Sequence, residues 1–336
     1  MSRFYPGTCL SVNFNRHFYV TSFCHQDALT LRCSGTLPAH GLSEPMDFLD
    51  HIHHCNRYDI SGFRPFRIDG RIFGWVRHGL ADELRRFPQA FRVEAEQISL
   101  AEPLAPPRSD IATRTEQIGA VVAQLASEGL VPKLRGEFYA VIETLGSPPM
   151  FDIDRAATTS FGIVNSGFHL NGVVRNGAQE DDRMWVAQRA FDKSTFPGKL
   201  DNMVAGGHPS GLTPQENVIK ECAEEAGMPE SLARAARPVS VLSYAMEVPD
   251  GLRRHAMLAY DIDLDAGFTP VPVDGEVQGF TLYPAHEVAR LVRTELDAFK
   301  YNCNLVVIDW LIRTGRLGPD HPDYLAINQG LRSIWP

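Results

Sequence analysis

The segment GGHPSGLTPQENVIKECAEEAGM, running from Gly206 to Met228, constrains this chain more than any other. Thr213 is a favoured N-cap. Pro214 stands at the first helical position, where its missing N–H costs nothing, and Glu216, three residues after the cap, closes a capping box. Gly227 supplies the C-terminal stop. Val218, Ile219, Cys222, Ala223 and Ala226 form one apolar stripe, so the segment predicts an amphipathic helix over 214–226 packed on a core. On the same helix Glu221, Glu224 and Glu225 stand at i, i+3 and i+4 and share a face. They fall in the last half of the helix, where the dipole disfavours anions. Each like-charged pair at about 4 Å costs on the order of 4 kcal/mol at an effective dielectric of 20. Two readings follow. Either the carboxylates splay into solvent, or a cation sits among them, and an all-oxygen set suits Mg²⁺ or Mn²⁺ rather than zinc.

The whole 336-residue chain is 44% hydrophobic and 22% charged, a globular composition long enough for two domains with their own cores. The net charge of -9 gives no general attraction to nucleic acid or anionic membrane. It also works against anionic substrates unless metal or local Arg and Lys reverse the sign at the site. No apolar run is long enough to span a bilayer. The expected partner is therefore a small molecule, with no nucleic acid and no membrane; a homodimer is left open. The six cysteines are scattered without CxxC spacing, which fits a reduced, cytoplasmic protein. From Met1 to Ser43 the only acid is Asp27, and three of the cysteines lie there. Residues 1–44 read as a disordered or spurious extension, with patterned sequence beginning at Met46; a transit peptide is the compositional alternative.

Two domains are expected beyond it. Residues 45–150 read as a small N-terminal α+β domain: a helix over 45–56, a hairpin over 66–77 turning at Asp69-Gly70, a helix over 80–87, a proline-rich loop at 103–107, a helix over 111–128 and a strand over 138–142. Residues 151–336 read as an α/β sandwich. Strands are expected over 161–175, with a turn at Asn176-Gly177, and over 183–190 and 199–204. Two more, 239–248 and 255–264, pair around Asp250-Gly251, and another covers 279–283. Helices are expected over 285–294 and 301–314.

The segment from Gly206 resembles the Nudix box, a glycine, five residues, Glu, seven residues, then Arg-Glu-aliphatic-x-Glu-Glu-x-Gly-aliphatic. Placed without gaps, Gly206 takes the first glycine, Glu221 the first helix glutamate, Glu224 and Glu225 the pair, and Gly227 and Met228 the close. Leu212 stands where the box has its loop glutamate and Lys220 where it has arginine. The resemblance implies a Nudix α/β/α sandwich with a mixed sheet. Glu221, Glu224 and Glu225 would bind Mg²⁺ (or Mn²⁺), helped by the carbonyl of Ala205, and Glu221 and Glu225 would serve catalysis. The metal would neutralise a diphosphate and activate water. Glu276, in a later loop, is the candidate general base. Leu212 and Lys220 imply altered support for the loop before the helix.

GFHLNGVVR and WVAQRAFDKSTFPGKLDNMVAGG resemble the Nudix domain found beside or fused to thiamine pyrophosphokinase. FKYNCNLVVIDWLIRTG and the 45–149 region are also similar to that branch, which implies hydrolysis of thiamine diphosphate or damaged analogues to the monophosphate. Arg189 and Lys193 are candidate phosphate ligands, with Gly206 and Gly207 beside them. Surface cations are the plainer reading of the first two. His169 and Asn171 face either a pocket or the core, and Trp185 either stacks on a substrate ring or packs. His51, His53, His54 and Cys55 lack a second ligand pair at zinc spacing. Two alternatives remain: the same chemistry on ADP-ribose or another nucleoside diphosphate derivative, and a non-catalytic Nudix-fold binding module, for which Leu212 is the one feature.

Overall fold

The structure, a computed structural model, describes residues 47–333, 335 and 336. The expectations for residues 1–44 and for a start at Met46 lie outside the described residues. The described residues form one compact unit.

Helix α1 (Phe48–Cys55) opens on a capping box between Asp47 and Asp50 and buries Phe48, Ile52 and Cys55. Strands β1 (Phe63–Ile68) and β2 (Arg71–Arg77) form the expected hairpin. Asp69 and Gly70 both take positive φ, 50° and 76°, the backbone that lets a two-residue turn match the strand twist. Helix α2 (His78–Glu83) leads to β3 (Phe91–Val93) and β4 (Ile98–Leu100), completing a four-stranded sheet in the order β2-β1-β4-β3. Helix α3 (Ile111–Ser127) joins the same core through Ile118, Val121, Val122 and Leu125, together with Phe66, Phe73 and Phe161. Strands β5 (Phe138–Ala140) and β6 (Asp152–Asp154) pair as a short ribbon.

The second sheet has seven strands. Its path is β11 (Arg237–Val248), β12 (Gly251–Asp263), β7 (Val164–Val174), β8 (Arg183–Arg189) and β13 (Val277–Pro284). Strand β9 (Leu200–Asn202) pairs with β8, and β10 (Val204–Gly207) with β7. β12 and β7 are parallel and the other pairs antiparallel, so the sheet is mixed. Alternation along the strands serves two cores. Phe168, Leu170 and Trp185 pack with α4 (Pro214–Ala226) and α5 (Glu230–Ala233). Val173, Met184 and Val186 pack on the other face with α6 (Ala285–Thr294), α7 (Tyr301–Arg313) and α8 (Tyr324–Gly330). This is the α/β/α sandwich with a mixed sheet expected from the sequence. Helix α1 belongs to that second core, packed with α7 and α8.

Several boundaries differ for physical reasons. The expected strand over 199–204 is two strands, because its halves pair with different neighbours on either side of Met203. Asn176-Gly177 does turn, with Gly177 at φ 88°, but the connection runs from 175 to 182 instead of closing a two-residue hairpin. Asp182 pins that loop, buried between Arg175 at 2.6 Å and Arg316 at 2.7 Å. β3, β4 and β6 are three residues each, too short for a period-2 signal.

Candidate active site

Helix α4 begins and ends as its sequence demands. Thr213 Oγ1 accepts the Glu216 N–H at 3.3 Å, Glu216 returns the bond to the Thr213 N–H at 2.8 Å, and Gly227 takes left-handed backbone at φ 60°. The helix lies against β10, and this contact sorts the three glutamates. Glu225 is buried, and its Oε2 accepts the Ala205 N–H at 3.0 Å. Burial pushes its pKa up to about 8. Glu221 lies on Gly206: a Cβ there would come within 2.5 Å of its carboxyl carbon, so the close approach requires glycine. Burial also raises the Glu221 pKa, against the opposing pull of Lys220. Glu224 turns outward and pairs with Lys220 at 2.6 Å, while Lys220 reaches Glu221 at 3.1 Å. The repulsion expected among three carboxylates is thus eased by the raised pKa of the buried Glu225 and by the pairing of Glu224 with Lys220.

The loop before the helix holds without the box's loop glutamate. Asn217 Nδ2 donates to the Gly207 carbonyl at 2.8 Å, and the His208 imidazole bonds the Leu212 carbonyl at 2.7 Å. Ser210 ties the loop to the β5–β6 ribbon, donating through its N–H to Phe138 O and through its hydroxyl to Asp152 at 2.7 Å. Lys220 takes no part in this support. That role passes to Asn217 and to the N-terminal region.

Glu225, Ala205, Gly206 and Gly207 line a cleft of about 590 Å³. Arg189, Lys193 and Glu276 also line it, but each is engaged. Arg189 bonds Asp201 at 3.0 Å and the carbonyls of Thr195 and Phe196, so it braces the 190–199 loop. Lys193 is ion-paired with Glu276. Partial burial works to raise the Glu276 pKa, yet the Lys193 bond and charge outweigh it and leave it below the ordinary value. Cations not named from the sequence join them. Lys300 is held by Asp201 at 3.7 Å, and Arg253 bonds the Tyr301 hydroxyl. Lys133 and Arg135 come from the chain just before β5, and Arg155 directly follows β6. Aromatic rings form another wall: Phe196 and Tyr301 stand edge to face with centroids 5.2 Å apart, beside Tyr244. Only the quoted FKYNC stretch carried a signal for Lys300 and Tyr301; Arg155, Arg253 and Tyr139 had none, since they converge from separate strands.

The remaining candidates resolve into packing. His169 lines the cleft but bonds Asn202 at 2.9 Å, and burial lowers its pKa to about 4, leaving the ring neutral. Asn171 bonds Asp261 at 2.9 Å within the core, and Trp185 packs on the α4 side of the sheet. His51 is buried and bonds the Val292 carbonyl at 2.6 Å. Among the described residues the groups of three close metal-type ligands are His169–Asp201–Cys303 and Asp47–His321–Asp323. The first is already hydrogen-bonded internally, with Cys303 Sγ 2.7 Å from Asp201.

A divalent cation fits the α4–β10 contact by donor chemistry. Glu225 is a buried carboxyl with a single backbone N–H partner, Glu221 is a second oxygen donor against the same strand, and burial raises the pKa of both. Comparison with known proteins agrees with the fold. Residues 171–303 match the NUDIX domain, and residues 47–165 match a family described only as a domain of unknown function, DUF4743. Nudix hydrolase 24, chloroplastic, of Arabidopsis thaliana is 37% identical over 295 residues, 87% of this chain and 79% of that protein. The chain belongs to the Nudix hydrolase family. Nudix hydrolase 20, chloroplastic, of the same plant is 35% identical over 87% of this chain and 79% of its own length. A Nudix hydrolase of Deinococcus radiodurans is 30% identical over 38% of this chain and 68% of its own. The chain is accordingly a hydrolase, and Nudix enzymes generally use divalent metal ions and small diphosphate substrates. No helix among the described residues is long and apolar enough to cross a membrane.

Proposed function

We propose that this Nudix hydrolase cleaves a small diphosphate-linked substrate in the 590 Å³ cleft, with Mg²⁺ or Mn²⁺ held by Glu221, Glu225 and the carbonyl of Ala205. Glu224 joins them when it leaves Lys220. The observation that carries the reading is the buried Glu225 carboxyl, bonded to β10 and facing a cleft walled by cations. When bound, the metal supplies charge neutralisation of the diphosphate and a more acidic water. The chain's own residues do the rest. Gly206 and Gly207 let the Glu221 carboxylate and the Tyr139 hydroxyl lie against the β10 backbone at the substrate site, and Arg189 braces the loop that carries Lys193. Glu276, ionised beside Lys193, is the proposed base, and release of the Lys193 pair frees it to take a proton. Glu276→Gln should lower kcat by about 10²–10⁴-fold.

The proposed substrate is thiamine diphosphate or a damaged analogue, converted to the monophosphate. Support comes from the resemblance of the LDNMVAGG and FHLNG stretches and from aromatic rings set beside cations, the chemistry that a ring-bearing diphosphate needs. The cytoplasm is the proposed compartment, and the described cysteines Cys55, Cys222 and Cys303 are all free and buried. A panel of diphosphates with Mg²⁺, scored for monophosphate release against Glu225→Gln, tests the reading. Release from ADP-ribose but not from thiamine diphosphate analogues rejects the substrate. Equal activity of Glu225→Gln rejects the metal site.

A further inference from the structure

The cations contributed by the Nudix domain are largely spoken for: Asp201 takes Arg189 and Lys300, and Glu276 takes Lys193. The region matching the domain of unknown function differs. Among the described residues neither Lys133 nor Arg135 pairs with a carboxylate, and both line the cleft. Arg155 lines it too, bonded to Glu137 at 2.8 Å and set 5.7 Å over the Tyr139 ring. Tyr139 is the sharpest feature. It is only 5% exposed, yet its hydroxyl has no hydrogen-bond partner. That hydroxyl presses on Gly207, where an added Cβ would come within 1.7 Å of it, beside the Glu221–Gly206 contact. A buried hydroxyl without a partner costs free energy unless something else completes it. Here it borders Gly206 and Gly207 of β10, next to a guanidinium.

We propose that Tyr139 and Arg155 contact the anionic end of the substrate, so that the N-terminal region completes the active site. The inference rests on the diphosphate reading above and adds the residues that recognise the diphosphate. Tyr139 donates its hydroxyl to a phosphate oxygen, and burial, which pushes its pKa up to about 12, keeps it a donor. Arg155 offers the N–H groups not used by Glu137, a geometry suited to phosphate. Lys133 and Arg135 add attraction at the rim.

The test separates ligand contact from structure because Tyr139→Phe removes only a hydroxyl that bonds nothing in the protein. Binding of inorganic pyrophosphate is measured calorimetrically in EDTA, where metal-dependent turnover is stopped, alongside kcat and KM on the best diphosphate of the panel. Tyr139→Phe and Arg155→Met should each weaken pyrophosphate binding and raise KM by about 10-fold, at a Tm no lower than the parent for Tyr139→Phe. Lys133→Ala with Arg135→Ala should flatten the salt dependence of binding. Pyrophosphate binding and KM unchanged in Tyr139→Phe and Arg155→Met overturn the inference while leaving the hydrolase reading intact. Wild-type protein that binds pyrophosphate through these residues but hydrolyses no diphosphate overturns the activity and keeps the subsite. Wild-type protein that binds no pyrophosphate overturns the subsite.

Discussion

Glu225 shows how one side chain is set by its surroundings. Its neighbours in sequence give a helix face and nothing about depth; the packing of α4 on β10 buries it and pushes its pKa from 4.5 to about 8. The linkage is direct. Between those values the folded state holds a proton that the unfolded state has lost, so the metal-free protein loses stability as pH rises through that window, on the order of 1 kcal/mol per pH unit. Denaturant melts in EDTA from pH 5 to 8 should show the decline, and Glu225→Gln should flatten it and be the more stable protein at pH 8. Mg²⁺ should reverse the decline in the parent only, since a bound cation stabilises the charged form. A parent protein whose stability rises from pH 5 to 8 in EDTA would contradict this account. Gly206 carries the complementary lesson: its place in a motif was legible, but its reason, the Glu221 carboxyl lying on it, needed the packed helix.

At the scale of elements, α4 is the best-specified helix in the chain because its signals are local. The Thr213 cap, Pro214, Glu216 and Gly227 act within one or two turns, and each appears as read. Thr213→Ala should cost about 1 kcal/mol, visible as a lower denaturation midpoint with an unchanged slope. The support of the preceding loop was not legible. Leu212 and Lys220 announced a departure, but Asn217, Ser210 and the β5–β6 ribbon, which replace the missing acid, meet only in three dimensions. Asn217→Ala leaves the Gly207 carbonyl without its donor. It should raise the Mg²⁺ concentration needed for half-maximal activity by about 10-fold, in the range found when residues that orient metal ligands are removed. A magnesium titration unchanged in that variant would remove Asn217 from the support of the metal site. Short strands such as β3, β4 and β6 escaped notice for the opposite reason, since three residues carry too little alternation to stand out.

For the molecule as a whole, charge and its arrangement point in opposite directions. The chain carries a net -9, yet the cleft gathers Lys133, Arg135 and Arg253 beside the paired Arg155, Arg189, Lys193 and Lys300. At about 0.1 M salt the Debye length is about 10 Å, so a bound anion feels the cleft more than the distant acidic surface. Raising salt from about 0.05 to 0.5 M should therefore raise KM several-fold with kcat nearly constant; a KM that falls would mean that the surface charge dominates. By itself the sequence determined the helix with its caps, the three glutamates on one face and the Asp69-Gly70 hairpin, because propensity, capping and periodicity act over a few residues; the reaction class came from the resemblance to the Nudix box. Tertiary structure decided which glutamates are buried, which cations remain unpaired, and that Tyr139 and Arg155 share a cleft with Tyr301. Those outcomes depend on contacts between residues far apart in the chain, and on the loss of water when they meet, which no local pattern encodes.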